Sequence, residues 1–126
     1  MMLAKSKVVA FVATKDPVKA KHFYGNTLGL SFVSEDLFAL VFDGNGTMVR
    51  VSIVKEFTPA FFTVLGWDVK GIRLMMKSLS QKGVMFEKVT GIPQDELGVW
   101  RADRRTEVAW FKDPDGNLLS LTEIHS

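Results

Sequence analysis

The chain has 126 residues, with 16 basic and 14 acidic side chains for a formal charge of +2, no cysteine, and 47% hydrophobic content. That length and composition fit one compact domain with a sizeable core, and the lack of cysteine excludes disulfides, thiol nucleophiles and cysteine-ligated zinc. A near balance of charge without a basic stripe among aromatics argues against nucleic acid as a partner, and no apolar run approaches the ~20 residues that span a bilayer.

Met1-Met2-Leu3-Ala4-Lys5-Ser6-Lys7 lacks the apolar stretch of a signal peptide, so a cytoplasmic location is expected. Val8 to Ala13 has strand length. Asp16-Pro17 then supplies an N-cap and a first-turn proline for a helix running to about Thr27, which Gly29 ends in a left-handed conformation. Ala39-Leu40-Val41-Phe42 leads through Asp43-Gly44-Asn45-Gly46 into Met48 to Ile53, a hairpin pattern. Strand alternation puts Met48, Arg50 and Ser52 on one face and Val49, Val51 and Ile53 on the other.

Glu56 to Ala60, containing Pro59, reads as a short connection. The pattern then restarts. Phe62 to Val69 is predicted as a strand, and Ile72, Met75, Met76 and Leu79 mark a helix that Lys82-Gly83 ends. Phe86 follows Gly83 at the interval by which Phe32 follows Gly29, and Val108 to Phe111 turns through Lys112-Asp113-Pro114-Asp115-Gly116-Asn117 into Leu118 to Leu121. Each half reads strand, helix, strand, strand, strand, which is an internal duplication. The second half has poorer helix caps, Lys70-Gly71 in place of Asp16-Pro17, and a longer polar excursion between Val89 and Thr106.

Phe23-Tyr24-Gly25-Asn26-Thr27-Leu28-Gly29-Leu30 and the tail from Ala109 to Leu121 carry a resemblance over almost the whole chain. The sequence is similar to the vicinal oxygen chelate superfamily, the glyoxalase, bleomycin resistance and extradiol dioxygenase group. The resemblance implies an α+β fold of tandem βαβββ modules, about residues 7–56 and 61–124 of a single domain spanning 1–126, forming an open cup-shaped mixed sheet with ligands inside. It also implies a twofold dimer, as in many relatives.

Many members of the superfamily hold a divalent metal through one ligand from the first and one from the last strand of each module. The matching positions here are Val9, Arg50, Val64 and Ser120. Valine has no donor atom, arginine stays protonated, and a lone serine hydroxyl is a poor ligand, so no metal or other cofactor is expected.

Arg50 is instead a candidate grip for a carboxylate or phosphate, with an ion pair to Asp68 as the structural alternative. Ser52 shares its face. Phe11 and the other aromatics, Trp67, Trp110 and the Phe residues at 38, 42, 57, 61, 62 and 111, are expected to be mostly core, with some lining a pocket. Trp100 lies in Gln94-Asp95-Glu96-Leu97-Gly98-Val99-Trp100, outside any strand period, and is expected either at a pocket rim or folded back on the core. His22 reads as a solvated helix residue and His125 as part of a fraying terminus. No serine sits in a GxSxG elbow.

Three function classes follow. The first is a metal-free protein binding a small organic, partly apolar anion through Val9, Phe11, Arg50, Ser52, Val64, Asp68, Trp100 and Ser120. The second is an enzyme of the same superfamily with an atypical site drawn from Asp68, Glu107, Tyr24 and Arg50. The third is a non-catalytic interaction module with a filled cup.

Overall fold

A computed structural model describes residues 2–126. It divides into two compact units that meet in sequence at Thr58 and Pro59, each with its own four-stranded mixed sheet.

In the first unit, β1 (Val9–Thr14) is followed by α1 (Pro17–His22) and a π-helical turn (Phe23–Thr27), then β2 (Ser31–Glu35), β3 (Ala39–Gly44) and β4 (Thr47–Ile53). The sheet order is β1-β4-β3-β2, with β1 parallel to β4 and the other pairs antiparallel. Asp16 caps α1 as its side chain accepts from Lys19 N–H, and Pro17 opens it. The helix is shorter than predicted. Leu28 N–H reaches back five residues to Phe23 C=O at 2.8 Å, turning the last stretch into a π turn. That turn delivers Tyr24 into the core against Phe42. Val12, Leu40, Phe42, Val49 and Val51 complete this core from the inner face of the sheet.

The second unit contains β5 (Leu65–Asp68), α2 (Ile72–Gln81), β6 (Trp100–Arg101), β7 (Thr106–Lys112) and β8 (Leu118–Ile124) in sheet order β5-β8-β7-β6, with β5 parallel to β8. Ile72, Met76 and Leu79 pack with Ala109, Phe111, Leu119 and Leu121 in its core. Residues 62–64, predicted as strand, precede β5, although Val64 N–H still donates to Leu118 C=O. Phe86 forms only an isolated bridge to Phe111 instead of a strand, and pairing along β7 passes to the short β6.

The α2 N-terminus explains itself non-locally. Gly71 has φ 72° and no side chain to cap with, but the Glu123 carboxylate on β8 accepts from both Gly71 N–H and Ile72 N–H at 2.9 Å. These two donors, the Ile72 one first, hold Glu123 below the usual carboxylate pKa range. The second hairpin turn is stapled by buried Asp113, whose Oδ1 accepts from Asp115 N–H and Asn117 N–H while Oδ2 accepts from Asn117 Nδ2. Gly116 supplies the required φ of 90°. The Pro-Asp-Gly-Asn motif is thus a folding device. Among the described residues no helix is long and apolar enough to cross a membrane.

Candidate functional site

Register decides which candidate residues come together. On the first sheet, Phe11 pairs with Arg50, Arg50 with Val41, Val9 with Met48, Met48 with Asp43, and Ser52 with Ala13 and Ala39. Val9, Phe11, Arg50 and Ser52 therefore share one face, opposite the core-facing Val12, Val49 and Val51. That face is open to solvent: Phe11 is 59% exposed, Met48 44% and Val9 40%. Val9, Val33, Val41 and Met48 line a hollow of about 260 Å³ whose polar edge is Lys7 and Asp43.

Arg50 is half-buried one step along β4 from that hollow. Among the described residues of its own unit, its guanidinium makes no hydrogen bond or ion pair. The acid that feels its charge there is Asp36, whose carboxyl is held low first by Phe38 N–H and Ala39 N–H and also by Arg50. Both backbone donors go to Asp36 Oδ1, and among the described residues no hydrogen bond or ion pair joins Asp36 to Arg50, so the five donors of the guanidinium are left for something else.

The remaining candidates share the corresponding face of the second sheet. Gly66 pairs with Ser120, Ser120 with Trp110, Asp68 with Thr122, Thr122 with Val108, and Val108 with Trp100; Val64 sits just before β5 in the same alternation. A β-carbon at Gly66 would lie 2.5 Å from Ser120 Oγ, so this serine tolerates no side chain beside it. Trp100 is neither in a loop nor in the core, as the sequence suggested; it forms the edge strand β6 and stacks on Trp110 with ring centroids 5.8 Å apart at 22°. The excursion before it is knitted by two side chains. Gln94 bonds Val89, Glu87 and Gly98, while Asp95 Oδ1 accepts from Leu97, Gly98 and Val99 N–H, which gives the Gln-Asp pair of this segment a structural purpose.

The aromatic expectation also needs correction. Phe42 and Phe111 are fully buried, but Phe11, Phe38, Phe61 and Phe62 are all exposed, because open-face and connecting positions carry more phenylalanines than the fully buried core does. Tyr24 is wholly buried between Phe23 and Phe42 and leaves the list of acid and base candidates.

Glu107 leaves it too, for a different reason. It lies on the core-facing side of β7 and is clamped there: Oε2 accepts from Arg73 Nη1 at 2.8 Å and Oε1 faces His125 Nε2 at 2.8 Å. The His125 contact, opposed by burial and aided by Arg73, holds its carboxyl below the usual range. His125 is therefore tied down, with its N–H also donating to Arg105 C=O, and does not fray as predicted. Sequence gave no signal for this cluster, in which Glu107 meets Arg73 from 34 residues before it and His125 from 18 residues after it.

The fit of a divalent metal can be tested on the donor atoms. Val9 and Val64 offer none, Arg50 only donates, and the Ser120 hydroxyl is 7% exposed and confined against Gly66, so these positions make no conventional nitrogen and oxygen set. Glu107, Glu123 and His125 do bring ligand-type atoms within 4.8 Å of one another. Those atoms are engaged by Arg73, by the α2 backbone and by each other, on the face of the sheet away from the candidate site.

No family model and no curated protein matches the sequence. Solved structures do. A glyoxalase/bleomycin resistance protein/dioxygenase from Alicyclobacillus acidocaldarius aligns at TM-score 0.69 and 16% identity, covering 100% of this chain and 96% of that one. Lactoylglutathione lyase from Agrobacterium tumefaciens aligns at 0.71 and 15%, covering 95% of each chain. The fosfomycin resistance protein FosX from Listeria monocytogenes aligns at 0.72 and 14%, covering 93% and 89%. With two mixed four-stranded sheets in tandem βαβββ order and this likeness over nearly its full length, the chain has the glyoxalase/bleomycin resistance/dioxygenase fold.

Proposed function

We propose that the protein binds a small organic anion with an apolar body on the open face of the first sheet, without a conventional metal. The observation that carries this reading is a half-buried Arg50 with no hydrogen bond or ion pair among the described residues of its own unit, set beside the exposed Phe11, Val9 and Met48 and their hollow. A guanidinium at such a position grips a carboxylate or phosphate through two parallel N–H···O bonds, and the neighbouring apolar side chains recover burial from the rest of the ligand. The donor set at Val9, Arg50, Val64 and Ser120 supports the metal-free part of the reading.

A thermal-shift screen of aromatic and aliphatic carboxylates and phosphates tests it. Arg50→Ala should weaken binding of a stabilising anion by about 1.5 to 3 kcal/mol, about tenfold to a hundredfold, and Arg50→Lys should recover only part of that loss. If no anion stabilises the wild type while Arg50→Ala and Asp68→Asn both melt early, the arginine is a structural ion-pair partner and the reading fails.

A further inference from the structure

Resting on the anion grip proposed for Arg50, we infer that the bound species is a zwitterion, an amino acid with an apolar side chain, and that Asp43 receives its ammonium group. β3 and β4 run antiparallel, with Val41 opposite Arg50 and Asp43 opposite Met48. Asp43 is therefore the diagonal neighbour of Arg50 on the open face, with α-carbons about 7 to 8 Å apart. Among the described residues no hydrogen bond or ion pair joins the two. A head group carrying both charges fits between them, accepting from the guanidinium on one side and donating to the carboxylate on the other.

The hollow supplies the space for the rest of the ligand. Its lining comes from all four strands, with Val9 on β1, Met48 on β4, Val41 and Asp43 on β3 and Val33 on β2, so it runs across the sheet beside this diagonal pair. Register slips between Phe32 and Ser34, and the extra residue, Val33, lines the hollow. A bulge at a sheet edge re-aims a side chain in this way. The volume of about 260 Å³ lies just below the roughly 300 Å³ at which ligand pockets usually begin, which suits a small apolar side chain.

Charge separates a zwitterion from a simple anion. The Asp43 carboxylate is exposed, and its hydrogen-bond partner among the described residues is Gly46 N–H, 3.2 Å from Oδ1 and 3.4 Å from Oδ2. One shared donor leaves most of its acceptor positions open. A simple anion at Arg50 would meet Asp43 as a like charge, and an ammonium beside the ligand's carboxylate offsets that repulsion. Asp36, the other acid near Arg50, receives Phe38 N–H and Ala39 N–H and lies outside the lining of the hollow. Lys7 lines the hollow from the segment before β1, and β4 stands between β1 and β3. Two strand spacings of about 4.8 Å therefore separate the strands of Lys7 and Asp43, a distance over which physiological salt screens exposed charges.

The probes are L-phenylalanine and 3-phenylpropanoate, which share a ring and a carboxylate and differ in the ammonium, each titrated calorimetrically into the full chain. L-Phenylalanine should bind about fivefold more tightly, as expected for one added ion pair at an exposed carboxylate. Asp43→Asn, which keeps an oxygen for Gly46 N–H, should bring the two probes to equal affinity, and Asp43→Glu should restore part of the preference. Arg50→Ala should weaken both. Equal affinity of the probes for the wild type, a preference that survives Asp43→Asn, or saturation by neither probe at millimolar concentration overturns the zwitterion. In the first two cases the anion grip still stands if 3-phenylpropanoate binds the wild type and is weakened in Arg50→Ala. If 3-phenylpropanoate binds Arg50→Ala like wild type, the grip itself fails and the zwitterion with it.

Discussion

The two units repeat one topology but start their helices by different means. In the first, Asp16 caps α1 from the adjacent position; in the second, α2 opens on Gly71 and takes its cap from Glu123, 52 residues along the chain on β8. Their open faces differ as much. The first presents Arg50 among Phe11, Val9 and Met48; the second presents Asp68, Ser120 and a tryptophan pair. What the units share is what the fold needs: a parallel first and last strand, a glycine-assisted hairpin and an aromatic core residue on the third strand, Phe42 or Phe111. What they do not share is free to carry chemistry.

The largest asymmetry to break is the Glu107 clamp, which has no counterpart among the described residues of the first unit. Removing one partner of a fully buried ion pair costs about 3 to 5 kcal/mol. Arg73 and His125 are half-exposed and can rehydrate, so Glu107→Ala should cost about 2 kcal/mol, measured by urea unfolding. The pH dependence has a definite sign. The folded-state pKa of Glu107 is depressed, so its contribution is present above the pKa it has in the unfolded chain and is lost as pH falls through the folded value. Acid titration of stability should be shallower in Glu107→Gln than in the wild type; an unchanged slope would remove the clamp from the account.

Gly66 comes next. Gly66→Ala should destabilise by about 1 to 3 kcal/mol because its β-carbon meets Ser120 Oγ, and adding Ser120→Ala should restore part of that loss. No rescue in the double variant would mean that the Ser120 carbonyl on β8, 3.2 Å from the added carbon, and not the hydroxyl, sets the constraint. The smallest contrast is between the two caps. Glu123→Ala, which orphans two backbone donors, should cost about 1 to 2 kcal/mol, and Asp16→Ala, which orphans one exposed donor, about 0.5 to 1 kcal/mol. Thermal melting of the pair ranks them.

Where the sequence was readable, the cause lay within a few residues. Asp113, Pro114 and Gly116 specify their turn locally; Asn45 and Gly46 supply the positive φ of the first hairpin; and Val49 and Val51 alternate with Arg50 as burial demands. That alternation was enough to place Arg50 and Ser52 on the open face. The rest depended on distant partners. Nothing near Gly71 announces that Glu123 will cap it, and nothing near His125 announces a buried glutamate 18 residues earlier. Trp100 was misplaced because a two-residue edge strand has no period to detect, and its strand character comes from Val108 and Glu107 opposite. The π turn at Phe23–Thr27 imitates the spacing of a longer α-helix in sequence and departs from it only in which carbonyl Leu28 reaches.

On the open face of the first sheet, the proposed role of Arg50 is to hold an anion. Calorimetric titration of 2-naphthoate, which joins a carboxylate to a flat apolar body, into the wild type and Arg50→Ala tests it most directly. Saturable binding to the wild type that weakens about tenfold or more in Arg50→Ala, with both proteins equally folded, is the expected result. Equal affinity for the two proteins, or binding to neither, would contradict it.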